Sequence, residues 1–313
     1  MNSSNPDPLL APAEPAGAEG PTAEAPAAET QAAPAIEAPA AIAASSGELG
    51  SPKREVPHDL RVPWGWVDFI WFLLFAVISS IVLTALVEMF AVAILHAPGP
   101  RTHAGEALGP VVVVIGQVFW SGAALLYLFA MVRVRSEDPF WRTIGWHGLR
   151  GAQESRTGRA FLFLSGGAGM AVIVSVLGRL GGENNQLPIE KLFDSRLSVE
   201  LLMVLGILIA PLVEETIFRG FLYPLVARQF GVAVGIVVTG VVFGLMHAAQ
   251  LWGGWSQIAL LIGVGIVLTW VRARTGTVAA SYLMHLGYNG LLFIGLFLAT
   301  GGLRHFPAGV LIR

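Results

Sequence analysis

Glu214, Arg219, His247, His285 and Asn289 interrupt apolar runs of membrane-crossing length, and these are the side chains that could do chemistry. An ionisable group at the centre of a membrane helix costs on the order of 3 kcal/mol on insertion scales, so one that is kept there needs a partner or a task. Glu214 and Glu215 sit side by side in the run Ala210-Pro211-Leu212-Val213-Glu214-Glu215-Thr216-Ile217-Phe218-Arg219-Gly220. Neighbouring helical positions point about 100° apart, so the two acids cannot do the same job. Glu215 and Arg219 are four apart with the acid first, the favoured order for an intrahelical ion pair. That pair neutralises itself and leaves Glu214 as a desolvated carboxylate suited to taking and returning a proton.

His247 closes the run Phe243-Gly244-Leu245-Met246-His247, and Ser281, His285 and Asn289 are spaced by four, which places them on one helical face. A carboxylate, two imidazoles and an amide, with no Ser-His-Asp pattern beside them, can activate water and stabilise an oxyanion. That chemistry is peptide hydrolysis, with Glu214, His247, His285 and Asn289 as catalytic candidates and Glu215 and Arg219 in support. A divalent metal such as zinc is an open alternative, with Glu214, His247 and His285 as three ligands and a fourth position for water. No HExxH segment is present, so the common zincin arrangement is excluded. A proton-coupled transporter using Glu214 and the histidines as a relay is the competing reading from another class.

The elements that hold these residues must be membrane helices. Of 313 residues 54% are hydrophobic and 13% charged, with mean hydropathy +0.67, which marks a polytopic, all-α membrane bundle. Apolar runs near 68–95, 111–132, 160–180, 199–224, 232–251, 256–272 and 277–300 predict about seven spans, within a range of six to eight. Cysteine is absent, which excludes disulfides, thiolate metal sites and a cysteine nucleophile. Net charge is −2 and the basic residues cluster beside apolar runs, so they read as topology signals and no nucleic-acid partner is expected.

Residues 1–56, rich in Ala, Pro and Glu, read as a disordered acidic tail without a secretory signal, and 57–313 as one membrane domain with its catalytic motifs in 195–300. Lys53, Arg54 and Arg61, then Arg133, Arg135, Arg142, Arg150, Arg156 and Arg159, then Arg228, Arg272 and Arg274 fall on one side of a seven-span path. The expected placement is a bacterial cytoplasmic membrane with the N-terminus inside, despite Arg101, Arg304 and Arg313 on the far side. The loop 133–159, with Trp141 and Trp146, reads as topogenic charge that could lie on the leaflet surface, and 183–196 as an external loop. Membrane lipids and a peptide or lipidated protein are the expected partners.

Depth supplies a check. Counted from the cytoplasmic ends, Glu214 lies about 10 residues in, His285 about 8 and Asn289 about 12, hence roughly 12–18 Å deep. His247, about 15 residues along its run, falls at roughly 23 Å, which predicts a mismatch with the other three.

The runs Glu-Glu-Thr-Ile-Phe-Arg-Gly, Phe-Gly-Leu-Met-His and Ser-Tyr-Leu-Met-His-Leu-Gly-Tyr-Asn resemble the EExxxR, FxxxH and HxxxN motifs of the CPBP family. That family includes type II CAAX prenyl endopeptidases and bacteriocin-processing or bacteriocin-immunity (Abi) proteins. The resemblance spans about 195–300. It implies Glu214 as the water-activating acid, Glu215 and Arg219 as supports, and His247, His285 and Asn289 as the remaining catalytic or oxyanion positions. It also admits a non-catalytic immunity-type membrane protein.

Overall fold

The chain threads back and forth as helices whose apolar faces leave nowhere for a strand edge to hide in lipid. The computed structural model describes residues 57–93, 103–149, 155–180, 187–193 and 196–301. The acidic tail and the C-terminal arginines lie outside the described residues. Eight helices appear among them: α1 (Trp66–Ala93), α2 (His103–Arg135), a single turn α3 (Phe140–Thr143), α4 (Arg156–Leu180), α5 (Leu197–Phe230), α6 (Val232–Met246), α7 (Trp255–Thr275) and α8 (Val278–Ala299).

Six of these are long and apolar enough to cross a membrane, and the fifth apolar run is the exception. The expected span 232–251 stops at Met246 after 15 residues. It rises about 22 Å, short of the ~30 Å of hydrocarbon. Gly254 and Trp255 restart the chain as α7 after a wound turn. Part of the expected external loop 183–196 is also ordered, as a helical turn over Pro188–Phe193 whose Ile189 N–H donates to the Gln250 carbonyl at 3.0 Å.

α5 is regular over Ala210–Glu215 and widens to π-helical turns on either side, over Leu205–Ile209 and Thr216–Leu222. Each widened stretch lies just before a proline, Pro211 or Pro224. A proline has no N–H to give and its ring crowds the carbonyl four residues back, so the turn before it opens. Carbonyls in these stretches take partners from other elements: Gly206 O accepts from Asn289 and Phe221 O from the Trp64 indole at 3.0 Å.

Backbones approach closely where glycines face one another. A Cβ at Gly167 would overlap the Met284 carbonyl, and one at Gly287 the Leu164 carbonyl, so α4 and α8 are locked through bare backbone. Gly240 and Gly244 seat α6 against Ile266 and Ile262 of α7 in the same way. The largest core cluster gathers Trp64, Phe72, Phe140, Phe218, Phe221 and Phe243 around the second half of α5.

The described part of the loop between α2 and α4 is tied to the bundle through Gly145, Trp146 and His147. Val278 N–H donates to Gly145 O at 2.9 Å, Thr277 Oγ1 donates to His147 O at 2.6 Å, and Trp146 Nε1 donates to Thr216 Oγ1 at 3.1 Å. Trp141 is exposed, at 47%, as are Arg133, Arg135 and Arg142. The segment before α1 is fastened too, by Arg272 to Asp59 at 3.0 Å and by Arg228, which donates to Val62 O and Trp64 O.

Candidate active site

Glu214 and Glu215 part company as their positions on the helix require. Glu215 is fully buried, and its Oε1 accepts from Arg219 Nη1 at 2.9 Å and pairs with His285 Nδ1 at 3.0 Å. The guanidinium of Arg219 is satisfied at every nitrogen: Nη2 donates to Gly265 O at 2.9 Å and Nε to Thr269 Oγ1 at 3.2 Å. Its plane stands 4.5 Å from the centroid of Phe243. The expected Glu215/Arg219 pair is present, extended by two α7 residues that spacing on α5 could not reveal. Thr269 was nonetheless visible as a polar residue in an apolar run.

Glu214 faces the other way and meets both histidines. Oε1 lies 3.8 Å from His247 Nε2, and Oε2 lies 3.8 Å from His285 Nε2. The far nitrogen of each ring is already engaged, His247 Nδ1 with Phe243 O at 2.8 Å and His285 Nδ1 with Glu215 Oε1. Because a carbonyl or a carboxylate only accepts, Nδ1 carries the proton in both rings and Nε2 is left to face Glu214. Phe243 organises this arrangement: its centroid is 5.0 Å from the His247 ring and 5.7 Å from that of His285.

The predicted depth mismatch of His247 does not hold. α5 runs on to Phe230, so Glu214 lies about 16 residues from that end, roughly 24 Å in, level with His247, which caps α6. Asn289 stands one turn beyond His285 on α8, and its Nδ2 donates to Gly206 O at 2.7 Å. Its amide therefore ties α8 to the opened turn of α5 while keeping a second N–H.

Residues 196–291 match the family model described as Rce1-like, type II CAAX prenyl endopeptidase. This segment is similar to that family. The Rce1-like match contains Glu214, Glu215, Arg219, His247, His285 and Asn289, and it covers less than a third of the 313 residues. No curated protein and no solved structure matches the chain.

Among the described residues no group of three His, Cys, Asp or Glu side chains is arranged to hold a metal ion. As placed, Glu214, His247 and His285 leave 3.8 Å between carboxylate and ring nitrogens, wider than the ~3.3 Å spacing of donors about 2.0 Å from one tetrahedral ion. The donor types suit zinc but their separation in this structure does not.

Proposed function

We propose that the chain is an intramembrane endopeptidase that hydrolyses a peptide bond of a membrane-anchored or membrane-proximal substrate using water activated by Glu214. One observation carries the reading: two histidines present Nε2 to opposite oxygens of one carboxylate at 3.8 Å each, a gap that fits a bridging reactant and not a direct hydrogen bond. The family match supports the same reaction class and brings a CAAX-type lipidated peptide forward as the first substrate to try.

Two carboxylates and one guanidinium leave this cluster with a charge of −1 while both rings are neutral. A second proton on one imidazole cancels it, which a low-dielectric site favours. The charged ring then offers Nε2–H to a developing oxyanion, and the neutral ring accepts from water through its Nε2 lone pair. Glu214 removes a proton from that water, and the oxygen forms its bond to the scissile carbonyl carbon. The oxyanion rests on the imidazolium and on the second N–H of Asn289. As the C–N bond breaks, Glu214 returns the proton to the departing amine. Glu215 and Arg219 hold the His285 ring in register and exchange no proton.

Purified protein in liposomes decides between this reading and the proton relay. Cleavage of an anchored peptide without proton uptake supports the protease, and proton uptake driven by a solute without cleavage supports the transporter. Loss of cleavage on chelation, restored by zinc, would replace the glutamate mechanism with the metal one.

A further inference from the structure

α5 carries Glu214 and Glu215, and α8 carries His285 and Asn289, so the candidate site exists only while these two helices keep their register. Two side-chain bonds cross between them directly, Asn289 to Gly206 O and His285 to Glu215 Oε1. Toward the start of α8 a third element joins them. The loop residues Ile144–His147 touch Thr216 and Gly220 of α5 on one side and Thr277, Val278 and Tyr282 at the head of α8 on the other.

On the α8 side the loop is bonded through its backbone. Gly145 O accepts from Val278 N–H, His147 N–H donates to Thr277 Oγ1 at 3.1 Å, and that hydroxyl donates back to His147 O. Gly145 makes the bend at φ +95°, where a Cβ would also stand 3.1 Å from Arg272 Nη2. On the α5 side the Ile144 carbonyl lies 2.8 Å from where a Cβ on Gly220 would be, so the loop backbone meets α5 at a bare position. Trp146 completes the join. It lines a cleft of 1360 Å³ and yet gives its indole N–H to Thr216 Oγ1, which belongs to a fully buried residue. The Thr216 hydroxyl has one proton, and it goes to Leu212 O at 2.7 Å, so toward Trp146 its oxygen can only accept. The same indole ring lies 5.3 Å from that of Tyr282. One side chain thus bonds to the residue after Glu215 and packs on the residue one turn before His285.

We propose that Trp146 is a positioning residue of the site: it clasps α5 to α8 and so sets the distance of His285 from both glutamates, without touching the reacting groups. A hydrogen bond such as His285 to Glu215 weakens within a few tenths of an ångström, and a misplacement of about 1 Å can cost ~100-fold in rate. The consequence for cleavage rests on the hydrolase reading, the clasp itself on the contacts alone.

Trp146→Phe keeps a ring and loses the N–H, Thr216→Val keeps the shape and loses the acceptor, and Thr216→Ser keeps the acceptor. Cleavage of an anchored prenylated peptide is measured per folded molecule for each. Trp146→Phe and Thr216→Val are each expected to lower kcat by about 10–100-fold with little change in KM, and Thr216→Ser to retain the parental kcat. The double variant Trp146→Phe/Thr216→Val should be no slower than the slower single one, because both remove the same bond. A parental kcat in Trp146→Phe, or losses that multiply in the double variant, overturns the assignment. The chain has no cysteine, so spin labels on Phe230→Cys of α5 and Ile294→Cys of α8, both exposed, report the helix separation without background. Trp146→Phe should shift or broaden that distance, and an unchanged distance overturns the clasp. If the distance moves while the unlabelled parent cleaves no peptide, the clasp stands and the protease reading falls.

Discussion

His285 places Nδ1 3.0 Å from Glu215 Oε1, so one acid orients the ring whose other nitrogen faces the neighbouring acid, Glu214. The same carboxylate oxygen takes Arg219, which makes the orientation rigid. His285→Ala is expected to reduce cleavage by about 10²–10³-fold, the usual loss for one oxyanion donor. Glu215→Gln should reduce cleavage as well, since it removes the anion that orients His285. Turnover of detergent-purified variants checks this, and a Glu215→Gln protein with parental turnover would contradict the orienting role.

Arg219 balances a fully buried carboxylate, and removing one partner of such a pair costs about 3–5 kcal/mol. Arg219→Ala should therefore unfold at much lower temperature than the parent. Lysine is a poor substitute because it cannot reach Glu215, Gly265 and Thr269 together. Thermal unfolding in one detergent should rank parent, then Arg219→Lys, then Arg219→Ala.

Asn289 donates one N–H to Gly206 and has a second, which the proposed mechanism gives to the oxyanion. Asn289→Asp keeps the shape but removes both donors, and the expected outcome is a fall in kcat of about 10²-fold or more with little change in KM. An unchanged kcat would leave Asn289 as a helix tie only.

Gly287 has the Leu164 carbonyl where a Cβ would go, while Gly263 has open space. Gly287→Ala should separate α4 from α8 and destabilise the bundle by about 1–3 kcal/mol, with Gly263→Ala close to neutral. Comparing their unfolding temperatures tests the backbone contact.

Much of this was legible in the residues, and the exceptions share a cause. Spacing by four gave the Glu215/Arg219 pair and the shared face of His285 and Asn289, because those relations are internal to one helix. The partners of Arg219 on α7 and the insertion of Trp146 beside Thr216 are contacts between elements distant in sequence, and no periodicity encodes them. Glu214 lies deeper than its apolar run implies because α5 continues through Arg228 to Phe230, which brings it level with His247. Pro211 and Pro224 are visible in the sequence, but the π-helical stretches before them, whose carbonyls receive Asn289 and Trp64, are not.

The central claim is that Glu214 activates the water that cleaves the peptide. The direct measurement is cleavage of an anchored peptide, a prenylated CAAX peptide first, in ¹⁸O-enriched water by the parent and by Glu214→Gln. The account predicts that the parent's new carboxyl terminus carries ¹⁸O from solvent and that Glu214→Gln, folded to the parental melting temperature, is slower by about 10²–10⁴-fold. Cleavage by Glu214→Gln at the parental rate would contradict it.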